Sequence, residues 1–164
     1  YPEEKLIQPE EARYLPFLVY NEMPDGKREV LCTSCGICAK VCPPQCIWIV
    51  RSNDPVTGRP VPEPTEFYID ADICMNCGFC AEYCPFDAIK MDHDFEIASY
   101  GRNVFNMEKL LKSSEYYKSI RPVNYAREEA ARIAEAEAKK AKEAARAAAA
   151  QSAMPTGAEA ATAT

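Results

Sequence analysis

The sequence lacks any long apolar run, and no stretch approaches the roughly 20 residues that a membrane-spanning helix requires. It also lacks an excess of positive charge, since 19 Lys and Arg stand against 25 Asp and Glu, a formal net charge of −6. An acidic chain is poorly suited to bind nucleic acid, because neutralising phosphates requires a basic surface. We therefore expect neither a transmembrane span in this chain nor a nucleic-acid partner.

Residues typical of enzyme active sites are equally scarce. The sequence has one histidine, His93, and it has no glycine-rich phosphate loop, no Ser/His/Asp arrangement and no convincing pair of acid and base. We expect His93 to lie in a surface loop. The sequence thus predicts no catalytic residues and no substrate pocket.

Cysteine, by contrast, is abundant, and all nine cysteines fall between Cys32 and Cys84. An odd number in one short segment fits a disulfide framework poorly, because such frameworks usually use an even number. Residues 32–47 read CTSCGICAKVCPPQCI and residues 74–89 read CMNCGFCAEYCPFDAI, with eight of the sixteen aligned positions identical. The centre of the chain is therefore a duplicated unit.

Each unit carries the spacing C-x2-C-x2-C-x3-C-P, the bacterial iron–sulfur pattern, in which the fourth cysteine binds the cluster of the other unit. Structural zinc is the alternative, but zinc sites usually close one tetrahedron with two separated C-x2-C pairs. The spacing therefore predicts two [4Fe–4S] clusters with exchanged ligands. The expected ligands of the first cluster are Cys32, Cys35, Cys38 and Cys84. The expected ligands of the second cluster are Cys74, Cys77, Cys80 and Cys42.

Other residues of the repeat surround these ligands. Cys46 aligns with Ala88, so we expect it to pack as a small buried side chain, with a reserve ligand or redox sensor as the alternative. Gly36 and Gly78 follow the second cysteine of each unit, where a missing Cβ lets backbone N–H groups approach a cluster. Apolar side chains at matching positions are expected to form a dry wall around each cluster: Ile37, Val41 and Ile47, and Phe79, Tyr83 and Ile89.

The sequence around the cysteines predicts an α+β fold, a ferredoxin-like two-cluster domain with pseudo-twofold symmetry at residues 27–96. Short strands are expected at residues 29–31, 47–50, 67–69 and 89–91, and single helical turns at residues 39–41 and 81–83. A core of this size seldom stabilises itself by apolar burial alone. We therefore expect folding and cluster loading to be one event.

The two ends of the chain differ from this core. Residues 1–26 contain four prolines and are expected to form an extended N-terminal arm with little regular structure. Residues 97–124 are expected to form a second arm with a short helix at residues 106–111. Residues 125–150 are rich in Ala, Glu and Lys and predict a solvated helix, followed by a flexible tail at residues 151–164.

Several stretches outside the cysteine pattern are more specific than the pattern itself. They are YPEEK at residues 1–5, FYID at 67–70, CGFC at 77–80, CPFDAI at 84–89, FEIASY at 95–100 and EKLL at 108–111. In these stretches the chain resembles iron–sulfur subunit I of proton-pumping NADH:quinone oxidoreductase (respiratory complex I), over about residues 1–115. Residues 13–17, which read RYLPF, stand where that family usually has an Arg/Gly-rich run, and the Ala-rich helix lies outside the resemblance.

The resemblance implies an electron-transfer subunit without an active site of its own, in a proton-translocating enzyme of the respiratory chain. Such a subunit relays single electrons in the peripheral arm, from the NADH and flavin side toward the quinone-reducing cluster. The implied partners are the large iron–sulfur subunit, the quinone-site subunits and the membrane-arm subunit at the interface. The implied location is peripheral, on the cytoplasmic face of the inner (plasma) membrane or the matrix side in mitochondria.

Two alternatives remain open. The first is the ferredoxin-like subunit of a related membrane hydrogenase or formate-oxidising complex, which would share the clusters but not NADH. The second is a free, soluble two-cluster ferredoxin. Such carriers are typically compact, so the long segments on both sides of residues 27–96 argue against the second alternative.

Overall fold

The computed structural model describes residues 3–152. The first two residues of the YPEEK stretch and residues 153–164 of the predicted tail lie outside the described residues. The chain divides into two units, Tyr1–Val123 and Asn124–Thr164. The strands are β1 (Pro16–Glu22), β2 (Arg28–Val30), β3 (Ile47–Asn53), β4 (Pro60–Asp70), β5 (Ile89–Met91), β6 (Val104–Asn106) and β7 (Leu111–Ser113). The helices are α1 (Ile37–Val41), α2 (Phe79–Glu82), α3 (Met107–Leu110), α4 (Ser114–Ile120) and α5 (Pro122–Ser152).

Strand β1 is the centre of the first sheet. It pairs antiparallel with β2 and with β5, where Leu18 stands opposite Ile89, and it pairs in parallel with β7. Its residues 16–19 are buried. The expectation of little regular structure in residues 1–26 is therefore wrong for Pro16–Glu22. Proline is tolerated here because Pro16 is the first residue of the strand, where a missing N–H disturbs the ladder least.

The second sheet has the antiparallel order β3-β4-β6. Ile69 lies opposite Ile47 on one side and Phe105 on the other, which brings three apolar side chains to the middle of the sheet. Strand β4 includes Pro62 and Pro64. They are accommodated because the register shifts twice in the facing part of β3, so that the ladder is irregular there.

The core of the first unit combines apolar side chains with cysteines. Leu18, Phe67, Ile69 and Ile89 are buried together with five cysteines: Cys32, Cys38, Cys42, Cys46 and Cys80. The four predicted strands appear as β2, β3, β4 and β5, and the two predicted helical turns appear as α1 and α2. The α+β class is therefore confirmed, whereas pseudo-twofold symmetry stays a prediction.

The second unit consists, in its described part, of most of helix α5. The side chains of residues 129–143 are all exposed, including Ile133, the one large apolar residue among them. An Ala-rich helix with so little apolar surface forms mainly through its intrinsic propensity. Among the described residues, no helix is both long and apolar enough to cross a lipid bilayer.

Candidate metal centres

The cysteine side chains gather around two separate cavities. The first cavity has a volume of about 340 Å³, including its open mouth, and its cysteines are Cys32, Cys35, Cys38 and Cys84. The second has a volume of about 310 Å³, and its cysteines are Cys42, Cys46, Cys74, Cys77 and Cys80. Each cavity thus combines three cysteines of one unit with the fourth cysteine of the other. This is the grouping that exchanged ligands require, and the assignment of individual ligands stays a prediction.

The two cysteine loops follow the same backbone path. Ser34 and Asn76, 42 residues apart, both adopt left-handed conformations, with φ of 57° and 52°. Gly36 and Gly78 are left-handed too, with φ of 76° and 82°, and each stands directly before a short helix. Left-handed backbone is uncommon for residues other than glycine, asparagine and aspartate. Its repetition at matched positions shows that the sequence repeat is also a repeat of local structure.

The fourth cysteine of each unit leaves its own loop on a helical turn. Cys42 directly follows α1, and Cys84 follows α2 after one further residue. Behind each of them the chain turns in the same way, because the N–H of Gln45 donates to the Cys42 carbonyl at 3.1 Å and the N–H of Asp87 donates to the Cys84 carbonyl at 3.4 Å. The turn directs each fourth cysteine into the cavity of the other unit.

Burial controls the chemistry of these thiols, all nine of which are free of disulfide bonds. It raises the pKa of Cys38 and of Cys80 to about 12, with a further rise from neighbouring cysteines. Burial also raises the pKa of Cys32 and Cys74, although each sulfur accepts a backbone N–H that favours the thiolate. Such thiols are protonated at neutral pH, so a bound metal centre is needed to hold them as thiolates.

Two further observations fit a cluster in these cavities. Within the described residues, the buried hydroxyls of Thr33 and Ser34 have no hydrogen-bond partner, and both belong to the first cysteine loop. Buried hydroxyls rarely lack partners, and cluster sulfurs are acceptors that could satisfy them. In the same part of the chain, no three His, Cys, Asp or Glu side chains are arranged to hold a single metal ion. The cysteine side chains of each cavity are the donors that [4Fe–4S] clusters use.

Cys46 is buried, as expected, with 1% of its surface exposed. Its sulfur lies 3.4 Å from the Cys42 sulfur, and burial raises its pKa. The sequence repeat could not predict that Cys46 lies close to Cys42, because the residue that aligns with Cys46 in the second unit is Ala88. The second cavity thus holds a fifth sulfur that the first cavity lacks.

The predicted apolar walls are only partly present. Ile47 and Ile89 are buried, but Phe79 is 42% exposed and Tyr83 is 60% exposed, so the expectation is wrong for these two. A helix as short as α2 cannot bury all of its side chains, and the two rings instead pack edge to face, with centroids 6.3 Å apart. The sequence also missed two walls of the first cavity, Leu18 on β1 and Phe67 on β4. Neither residue was predicted to lie beside a cluster, because Leu18 falls in the predicted N-terminal arm and Phe67 in a predicted short strand.

Two features lie apart from the cysteines. His93 is half-buried, and its Nε2 lies 3.2 Å from the Glu10 carbonyl oxygen. A cavity of about 700 Å³, including its open mouth, has a lining without cysteine that includes Asp92 and Lys112. The sequence predicted no pocket of this kind. Its buried carboxylate, Asp92, already binds the Lys112 ammonium and accepts a hydrogen bond from the Tyr116 hydroxyl at 2.6 Å.

Duplicated cysteine loops that exchange their fourth cysteines within an α+β frame define a class, the ferredoxin-like proteins with two clusters. Comparison with known families supports that class, because residues 31–88 match the family described as a 4Fe–4S dicluster domain. The predicted cofactors, two [4Fe–4S] clusters, are thereby confirmed.

Whole-chain comparison narrows the class further. The chain is 45% identical over 117 residues to NADH-quinone oxidoreductase subunit I 2 of Cereibacter sphaeroides, a match covering 70% of this chain and 67% of that protein. It is 44% identical over 114 residues to NADH-quinone oxidoreductase subunit I of Methylococcus capsulatus, covering 68% of this chain and 62% of the relative. The subunit I of Tolumonas auensis is 44% identical over 115 residues, with 69% and 60% covered.

With this similarity, the chain belongs to the NADH-quinone oxidoreductase subunit I family. The predicted family and the predicted function, an electron-transfer subunit of this kind of enzyme, are confirmed. The matches span 60 to 67% of the length of these three relatives.

Proposed function

We propose that this chain relays single electrons within the peripheral arm of a proton-pumping NADH:quinone oxidoreductase, from the NADH and flavin side toward the quinone-reducing cluster. The pair of adjacent cysteine-lined cavities carries the proposal. Helices α1 and α2, which carry Cys38 of the first cavity and Cys80 of the second, pack against each other. Two clusters held this close together can exchange electrons directly.

The chain's own residues have three tasks in this proposal. When bound, each [4Fe–4S] cluster accepts and releases one electron. Cys32, Cys35, Cys38 and Cys84 hold the first cluster, and Cys74, Cys77, Cys80 and Cys42 hold the second. Leu18, Phe67 and Ile89 keep water away from the first cavity. Backbone N–H groups of the two loops donate to cysteine sulfurs, as those of Ser34 and Asn76 do to Cys32 and Cys74.

The proposed partners are the large iron–sulfur subunit, the quinone-site subunits and the membrane-arm subunit at the interface. Three features support contacts with neighbouring proteins: the exposed apolar pair Leu6 and Ile7, the exposed ring of Phe79, and the exposed residues 129–143 of helix α5. We propose a peripheral position on the cytoplasmic face of the inner membrane, or on the matrix side in an organelle.

Two measurements test this function. Gel filtration of native extract solubilised in mild detergent should show this chain eluting with a very large membrane complex, whereas elution near the 18.3 kDa of the chain alone would indicate a free ferredoxin. The isolated complex should then oxidise NADH with a quinone as acceptor. Oxidation of hydrogen or formate in place of NADH would instead favour the related membrane hydrogenase or formate complex.

A further inference from the structure

Each cysteine loop is contacted by one arginine from another part of the chain. Arg51, on β3, donates from Nε to the Ser34 carbonyl at 3.0 Å and from Nη2 to the Cys35 carbonyl at 3.3 Å. Arg13, ahead of β1, donates from Nη1 to the Cys77 carbonyl at 2.8 Å. Cys35 and Cys77 occupy the same position in the two units. Both loops therefore carry a guanidinium group on the carbonyl of their second cysteine.

The sequence repeat does not explain this match. The position 42 residues after Arg51 is His93, and Arg13 lies before the first unit altogether. The two arginines thus come from unrelated segments, one from strand β3 and one from the segment ahead of β1. Because two unrelated segments supply the same contact, we infer that the guanidinium group serves the cysteine loop.

The glycine of the second loop makes room for its arginine. A Cβ added to Gly78 would lie 2.7 Å from Arg13 Nη1, which is closer than real contacts allow. At Gly36 the nearest atom is Arg51 Nη2, at 3.9 Å from an added Cβ. In both loops the first atom that a side chain in place of the glycine would meet thus belongs to the arginine. Gly78 therefore leaves room for the Arg13 guanidinium group, whereas the 3.9 Å at Gly36 is an ordinary contact distance.

We propose that Arg13 and Arg51 are positioning residues that raise the reduction potentials of the second and the first cluster, respectively. The inference rests on the proposed function, because it requires a cluster inside each loop. Reduction adds one electron, and therefore one negative charge, to a cluster. A fixed positive charge on the ligand loop favours the reduced form, since cluster potentials depend on nearby charge and hydrogen bonds.

The two arginines differ in their own partners. Arg13 Nη2 lies 2.7 Å from Glu82 Oε1, and both side chains are about half exposed. Among the described residues, Arg51 has no carboxylate within ion-pair distance. The Glu82 carboxylate offsets part of the Arg13 charge, so Arg51 should have the larger effect on its cluster. Removing the Glu82 charge should raise the potential of the second cluster.

The experiment is a redox titration followed by EPR spectroscopy on the anaerobically purified chain with its clusters. The variants are Arg51→Gln, Arg13→Gln, Glu82→Gln and the charge-preserving Arg51→Lys and Arg13→Lys. Arg28→Gln is the control, because the Arg28 guanidinium group lies over the Tyr20 ring, 5.1 Å from its centroid, and not on a loop carbonyl. Iron content is measured first for every variant, and the Cys77→Ala chain identifies the signal of the second cluster, because Cys77 lies in the second unit and lines the second cavity.

Arg51→Gln should shift the first cluster to a more negative potential, and Arg13→Gln should shift the second in the same direction by less. Glu82→Gln should shift the second cluster the opposite way, both lysine variants should recover most of the loss, and Arg28→Gln should change nothing. Unchanged potentials in glutamine variants that retain their clusters would overturn the inference. So would lysine variants that behave like glutamine, because loop geometry rather than charge would then be responsible.

The same data separate this inference from the proposed function. A wild-type chain without iron would contradict the clusters themselves, whatever the arginines do. If a glutamine variant loses a cluster, Glu82→Gln still decides the matter, because it leaves both arginines in place. A second-cluster potential that does not rise in Glu82→Gln would then overturn the inference.

Discussion

The two cysteine loops have the same backbone but different surroundings. In the first loop, Ser34 is 2% exposed and Thr33 is half-buried. In the second, the matching residues are Asn76, which is exposed, and Met75, which is 62% exposed. The repeat therefore sets where the cysteines stand, and other parts of the chain decide how much water reaches them.

This difference in exposure arises from strands that lie outside the repeated cysteine motif. Strands β1 and β4 contribute Leu18 and Phe67 to the lining of the first cavity. The second cavity is lined by Pro16, Ile47 and Met91 of the strands and by the exposed Met75 and Asn76 of its own loop. Phe79 stands exposed next to that loop. The two copies of the cysteine motif are thus surrounded by different residues. We expect a shielded first cluster and a more accessible second cluster.

The largest effect is expected from the residue that links the two loops. Cys42→Ala should reduce the iron content from about eight to about four per chain, because a [4Fe–4S] cluster that loses a ligand is poorly retained. The lost EPR signal should belong to the second cluster, since Cys42 lines the second cavity although it lies in the first unit. Loss of only the first cluster would contradict the exchange of ligands.

Cys46→Ala is the matched control for Cys42→Ala. Its sulfur lies in the same cavity, 3.4 Å from the Cys42 sulfur, but it aligns with Ala88 in the repeat. Iron should therefore stay near eight per chain in this variant. A fall to about four would identify Cys46 as a ligand of the second cluster.

The shielding of the first cluster depends on Phe67, which is fully buried at the centre of the second sheet. Phe67→Ala should lower the free energy of unfolding by about 3–5 kcal/mol, as truncations of buried phenylalanine do. Anaerobic denaturant titration of the loaded chain measures this change. Trp48→Ala, half-exposed on the same hairpin, should cost clearly less. Equal losses in the two variants would show that Phe67 is not a core residue.

A smaller effect is expected in the rates at which the clusters are destroyed. A water-soluble iron chelator or oxidant should remove the second cluster before the first, because Met75 and Asn76 leave its loop open to solvent. EPR spectra taken during the reaction follow the two signals separately. Phe67→Ala should narrow the difference by opening the first cavity. Faster loss of the first cluster in the wild-type chain would show that the first cluster, and not the second, is the more accessible one.

The smallest effect concerns Tyr116, far from both loops in sequence. Burial and the hydrogen bond to Asp92 raise its pKa above the usual 10.0. The unfolded chain therefore ionises this tyrosine first, so its contribution to stability is complete below pH 10.0 and is lost as the pH rises further. Denaturant titrations at rising pH should show a weaker alkaline loss of stability in Tyr116→Phe. An identical pH dependence in both chains would contradict this assignment.

The sequence was sufficient for the repeated parts of the molecule and insufficient for what surrounds them. Local patterns predicted α1, α2 and the strands β2 to β5, because cysteine spacing, turn residues and β-branched runs act within a few residues. The central position of β1 was missed, since four prolines in residues 1–26 suggested an irregular arm. Prolines at a strand start and in its flanks do not prevent a buried run of Phe17, Leu18 and Val19.

Contacts between distant segments were also not predicted from the sequence. The hydrogen bonds of Arg13 and Arg51 join side chains to loop carbonyls 64 and 16 residues away, and no local pattern encodes such pairs. The exposure of Phe79 and Tyr83 has a similar cause, because the repeat aligns them with the half-buried Ile37 and Val41. Aligned residues of a duplicated motif differ in burial when the segments packed around the two copies differ.

The most direct test is iron and acid-labile sulfide analysis of the anaerobically purified chain, combined with quantitative EPR after reduction. The structure predicts about eight iron and about eight sulfide per chain, in two centres that each take up one electron. A colourless protein that contains zinc or no metal would contradict the assignment of the two cysteine-lined cavities, and with it the proposed electron relay.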